Sequence, residues 1–213
     1  CIETGIPGWQ NMAKAAGSWD RIVITTVMNE ENKHLEGKSV QEIAELQGKD
    51  PYTTIFDLLV AEKGRVLIVT HMMAEEDVAA IIRHPLAMIG SDGMSVSTEG
   101  VMSFGRPHPR AFGTRARVLE KYVREDKILS LEDAVRKMSA MPAERLGLKQ
   151  RGLIKDGYYA DLTIFDPETV QGKATFAEPK QYSAGFDVVV VNGKIVLKDG
   201  VHQEVYCGRV LKK

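Results

Sequence analysis

Apolar residues along this chain fall into two regimes. Over the first two thirds, short continuous apolar runs alternate with amphipathic stretches. Over the last third, brief apolar runs are separated by turn residues. RIVITTV (21–27) is β-branched and apolar at successive positions, which predicts a strand buried on both faces. SVQE (39–42) has the spacing of a capping box, so Ser39 starts a helix that Gly48 ends. In DPYTTIFDLLVAEKG (50–64), Asp50 suits the N-cap, Pro51 the first turn and Gly64 the stop. Ile55, Leu58 and Leu59 share one face of that helix.

A second β-branched run, RVLIVT (65–70), leads into AEEDVAAIIRH (74–84), whose acidic start and basic end suit a helix dipole. After Pro85 comes LAMIG. Strand, helix and strand within about 25 residues predict a βαβ unit with parallel strands. The runs 21–27, 65–70 and 86–91 place the chain in the α/β class, as part of a sheet or barrel. Residues 95–115 are punctuated by Gly and Pro and predict a long loop, a kind of segment that is usually functional or disordered.

SLEDAVRKMSA (130–140) predicts a capped helix with Leu131, Ala134, Val135 and Met138 as its apolar stripe, and Pro142 opens a short turn ending near Gly147. From Gly152 the pattern shortens. ADLTIFD and FDVVVVNGKIVLKDG read as strands, and Asn192–Gly193 marks a hairpin, since a type I′ turn needs positive φ at both positions. This change of pattern predicts a boundary near residue 150, with 1–150 of mixed α/β character and 151–213 small and β-rich.

Composition narrows the function classes. With 44% hydrophobic and 27% charged residues the chain is of ordinary globular type, and a net charge of -1 offers no footprint for nucleic acid or an anionic membrane. No apolar run approaches the roughly 20 residues of a membrane span, and no signal peptide is visible, so the expected location is cytoplasmic. Cys1 and Cys207 give neither metal spacing nor a disulfide framework and read as reduced thiols. The chain opens on CIETGIPGWQ, without Met and directly into patterned sequence, which reads as part of a longer protein.

Asp92, in LAMIGSDGMSV, is the first candidate for chemistry. Asp-Gly ends strands by turn chemistry alone. A carboxylate at the C-terminal edge of a parallel strand can also bind a metal or act as a general base. In GRPHPRAFGT (105–114), two prolines stiffen the loop around His108, and Arg110 suits a carboxylate partner. The two converge with Asp92 if the loop folds back; otherwise they are incidental surface charges. His71 ends the second strand run, where a lone His is more often structural than a ligand. Met72, Met73, Met94 and Met102 line an apolar pocket or act as filler. No G-x-G-x-x-G, P-loop, H-E-x-x-H, G-x-S-x-G or His-x-His occurs.

HPLAMIGSDG, HPRAFGTRARVLEKYVRE and LEDAVRKMSAMPAERLGLKQRGLIKDGYYADLTIFDPETV resemble the amidohydrolase superfamily, in its N-acyl-D-amino-acid deacylase (D-aminoacylase) branch. NKHLEGKSVQEIAELQGKDP upstream and VNGKIVLKDGVHQEVYCGRVL at the end extend the resemblance over nearly the whole chain. It implies a metal-dependent (β/α)8 barrel beside a small β-sandwich built from both ends of the enzyme. This chain would hold about strands 6–8 of the barrel in 1–150 and part of the sandwich in 151–213.

Asp92 then matches the essential aspartate ending strand 8. It would take a proton from zinc-activated water, pass it to the leaving amine, and serve as a second-site metal ligand. Ser91, His108 and Arg110 would contact substrate. The family's other zinc ligands, a His-x-His on strand 1, a Cys and two further His, belong to segments upstream of this one. Cys1 is not equated with the ligand Cys, and His71 matches no ligand.

The implied partners are an N-acyl-D-amino acid and the missing N-terminal half of the same enzyme, without which the fragment is inactive. Two alternatives stay open. One is a cyclic-amidase type of amidohydrolase, like a hydantoinase or dihydroorotase. The other is a non-catalytic half-barrel subunit that depends on a partner.

Overall fold

The computed structural model describes residues 4–211, so Cys1 lies outside the described residues. The chain forms two compact units, and neither follows a single stretch of sequence. The first contains the described residues up to Ala74, with Ser95–His108 and Phe176–Lys180. The second contains Glu75–Met94, Pro109–Thr175 and the described residues from Gln181 on.

In the first unit, helix α1 (Met12–Ala16) precedes strand β1 (Ile22–Thr26), helices α2 (Val40–Gln47) and α3 (Pro51–Ala61), and strand β2 (Leu67–Thr70). The expected caps are present. Ser39 Oγ accepts from Glu42 N at 3.1 Å while the Glu42 carboxylate accepts from Ser39 N at 2.7 Å. Asp50 caps Thr53 N at 3.0 Å, and Gly48 takes the left-handed φ of 64° that ends α2. The core is Ile22, Ile24, Val27, Leu35, Val40, Ile43 and Leu58.

β1 and β2 are antiparallel, with Ile22 opposite Thr70 and Ile24 opposite Ile68. The cause lies in α3. Its last turn is tied to the residues just after β1, because the fully buried Glu62 carboxylate accepts from Met28 N at 2.6 Å and Asn29 N at 3.1 Å. The chain therefore re-enters the sheet at the end where β1 stops, and runs back. Leu67 and Ile68 of β2 are exposed, so only β1 is the doubly buried strand that the sequence predicts.

In the second unit, α4 (Glu75–Arg83), α5 (Arg110–Arg117), α6 (Leu131–Met138) and α7 (Ala140–Leu146) accompany an antiparallel sheet in the order β3-β4-β5-β6 (Leu162–Phe165, Phe186–Val191, Lys194–Lys198, Val201–His202). A wider-turned helix, Val118–Glu125, continues α5. Ala116, Leu119, Tyr122, Ala134 and Val170 form the buried core, against which Ile82, Ile89, Phe165 and Phe186 pack. Asn192 (φ 49°) and Gly193 (φ 80°) make the expected hairpin turn between β4 and β5.

Three expectations are corrected. The run 86–91 is not a strand, so the parallel βαβ unit does not form. Its backbone groups are used elsewhere: Ala87 N donates to His84 O at 3.0 Å and Ile89 N to Lys137 O at 3.1 Å, and Leu86 is 77% exposed. The predicted loop 95–115 ends early, because α5 starts at Arg110. The turn opened by Pro142 is a full helix, α7, with the proline in its first turn, where a missing N–H costs nothing.

Candidate active site

The Ser91-Asp92-Gly93 turn lies in the second unit, three residues past Ile89. Asp92 has φ 47°, a left-handed conformation that favours Gly, Asn and Asp. Ser91 Oγ accepts from Gly93 N at 3.2 Å, closing the turn locally. A Cβ at Gly93 would crowd Ala111 Cα at 3.0 Å, so the turn packs closely against the start of the next helix.

Arg110, the first residue of α5, holds the aspartate at two points. Its Nε donates to Asp92 O at 2.9 Å, and its guanidinium pairs with Asp92 Oδ2 at 2.7 Å. The Asp92 side chain is 87% exposed, so the carboxylate is fixed in direction and open to solutes. Two of the three residues expected to converge are thus together.

His108 belongs to the first unit. There its ring meets Phe176 edge-on at 4.9 Å, and His71 meets the same Phe176 ring at 4.7 Å. The segment before it is fixed by Arg106 N donating to Thr25 O at 2.7 Å and by Gly105 seated against Thr26. Phe176 is the residue that sequence reasoning overlooked; it stands alone in the polar stretch GKATFAEPK, with no periodicity to single it out. Met94 and Met102 are exposed and fall in different units, so they line no common pocket within either.

The second unit also holds an apolar cavity of about 1510 Å³, whose walls include Leu119, Ile164 and Phe186. Ser91 and Arg110 line it, and Asp92 does not. Among the described residues no group of three or more His, Cys, Asp or Glu side chains is placed to hold a metal ion. The described part of the chain therefore does not by itself fit a resident zinc. No helix among the described residues is long and apolar enough to cross a membrane.

The sequence profile of the amidohydrolase family matches residues 6–197. The chain belongs to that family. This amidohydrolase chain is 40% identical over 179 residues to the D-aminoacylase of Alcaligenes xylosoxydans xylosoxydans, a match covering 84% of this chain and 34% of the relative. The crystal structure of a D-aminoacylase described as defining a novel subset of amidohydrolases superposes with a TM-score of 0.79 at 38% identity, over 91% of this chain and 38% of that one. The N-acyl-D-glutamate deacylase of Bordetella bronchiseptica, solved with zinc and a phosphonate mimic of the tetrahedral intermediate, superposes with a TM-score of 0.76 at 35% identity, over 87% of this chain and 36% of that one. This chain thus spans about a third of the length of the relatives it matches.

Proposed function

We propose that this chain supplies the aspartate-bearing portion of an enzyme that hydrolyses N-acyl-D-amino acids to a carboxylate and a D-amino acid. The observation that carries the reading is the Asp92 carboxylate, strained into a left-handed turn and aimed by Arg110 of the HPR segment. The similarity to deacylases over most of the chain supports the substrate class.

Asp92 acts as general base and then general acid. Its carboxylate takes a proton from the water that adds to the amide carbonyl carbon. As the C–N bond breaks, the same proton goes to the departing nitrogen, which leaves as the amine. Arg110 keeps its Nε on Asp92 O and turns its other N–H groups from Asp92 Oδ2 to the substrate's carboxylate, which frees the aspartate for proton transfer. Ser91, one residue before Asp92 in the same unit, completes the contacts to substrate.

Zinc belongs to the assembled enzyme, held mostly by side chains outside the described residues, with Asp92 as the ligand offered from this part. Residues 1–150 are read as the part of a (β/α)8 barrel around strands 6–8, whose parallel pairing this chain does not form alone, since β1 and β2 are antiparallel, and 151–213 as part of a β-sandwich. The antiparallel sheet β3-β4-β5-β6 supports the second assignment. The partner completing the site is the N-terminal half of the same enzyme.

The test combines this chain, in zinc buffer, with the N-terminal portion of the Alcaligenes D-aminoacylase that precedes its matched region. Hydrolysis of N-acetyl-D-methionine, well ahead of the L-enantiomer, is expected. Cleavage of dihydroorotate or a hydantoin instead of the linear amide would overturn the reading.

A further inference from the structure

Lys137 is the most deeply buried charged side chain of the second unit, at 0% exposure. It lies on α6, outside the apolar stripe of Leu131, Ala134, Val135 and Met138. Its Nζ donates to His84 O at 2.5 Å and to Ala87 O at 3.3 Å, with the Asp133 carboxylate 3.8 Å away. Its backbone oxygen accepts from Ile89 N at 3.1 Å. Both ends of one residue thus grip the segment 84–89, which ends three residues before Asp92.

The chemistry of this arrangement is informative. Removing an ammonium group from water is costly, and an apolar residue of similar length would fill the same volume without that cost. What the ammonium adds is direction. The carbonyls of residues 84 and 87 follow the end of α4, where helix carbonyls lack partners and the dipole favours a cation. Held there, the segment 84–89 has one path into the Ser91-Asp92-Gly93 turn, which Arg110 grips from the other side.

We infer that Lys137 is a positioning residue for Asp92: it fixes the segment leading into the turn, so that the carboxylate meets Arg110 and the substrate at one angle. This rests on the proposed role of Asp92 in amide hydrolysis, but its structural half is testable without catalysis.

The experiment is NMR on the full 213-residue chain, comparing wild type with Lys137→Met and Lys137→Arg. Lys137→Met is expected to move the Gly93 amide and Asp92 carboxyl-carbon signals. It should also speed Ile89 amide exchange by about tenfold or more, because that amide's acceptor is loosened. The β4–β5 amides should stay in place, and Lys137→Arg should restore most of the wild-type pattern. Unchanged Gly93 and Asp92 signals in a folded Lys137→Met chain would overturn the inference.

If Lys137→Met does not fold, the wild-type chain decides. A coupling across the hydrogen bond from Lys137 Nζ to the His84 carbonyl carbon supports the inference, and its absence overturns it. In the complemented enzyme, Lys137→Met should lower kcat at constant KM. A normal kcat alongside displaced Asp92 signals would overturn the role of Asp92, not the positioning.

Discussion

Arg110 binds Asp92 twice, once through the carboxylate at 2.7 Å and once through the backbone oxygen at 2.9 Å. The backbone contact holds the left-handed turn, and the side-chain contact occupies the carboxylate. An exposed ion pair adds little stability by itself, at most about 1 kcal/mol. The value of this one lies in geometry.

Arg110→Ala in the complemented enzyme should therefore raise KM for N-acyl-D-amino acids. Amides lacking a carboxylate should show only the smaller loss that comes from a looser Asp92. Steady-state kinetics on both substrate types checks this, and equal effects on the two would contradict it.

Glu62 contributes to the acid stability of the first unit. Burial pushes its carboxyl up, but the donors from Asn32 at 2.6 Å, Met28 and Asn29 outweigh it, so the pKa lies below the usual 4.5. A lowered folded-state pKa gives stability that is present above the unfolded value and is lost as pH falls through the folded one. Glu62→Gln should cost about 2 kcal/mol at neutral pH, because an amide nitrogen then faces backbone donors. The gap to wild type should narrow below pH 4.5 in urea melts. A gap that widens in acid would contradict the assignment.

Gly185 and Gly193 should respond differently to alanine. At Gly185 (φ 82°) a Cβ would stand 2.5 Å from Val170 Cα, within the buried core. At Gly193 (φ 80°) nothing lies within 4 Å. Gly185→Ala should cost about 3 kcal/mol from strain and overpacking together. Gly193→Ala should cost about 1 kcal/mol, from backbone strain alone. Chemical denaturation of both variants measures the difference.

Elements governed by local signals were legible in the sequence. Ser39, Asp50 and Ser130 announced helix starts by capping, and Asn192–Gly193 announced its hairpin, because each signal acts within a few residues. What failed depended on distant partners. LAMIG has the composition of a strand, but its amide and carbonyl groups are taken by a turn and by Lys137, 48 positions from Ile89. The stripe on α6 holds at Leu131, Ala134 and Met138 but not at Val135, which is 40% exposed, while Lys137, one turn after Ala134, is buried. Charge hid the inward face, and only the carbonyls of the segment 84–89 explain it.

The site divided along the same line. The SDG and HPR blocks named Asp92 and Arg110, and the structure brings these two together. His108 stands two residues before Arg110 but packs with His71 and Phe176 in the other unit. Sequence proximity did not reveal which unit the loop joined.

In the proposed enzyme, Asp92 moves the proton during amide hydrolysis. The direct measurement is N-acetyl-D-methionine hydrolysis in zinc buffer by the chain alone, by the complemented enzyme, and by complemented Asp92→Asn. No turnover by the chain alone, turnover on complementation, and a loss of about 100-fold or more in the variant, the scale of a missing general acid/base, are expected. Undiminished turnover by complemented Asp92→Asn, or hydrolysis by the unaided chain, would contradict this.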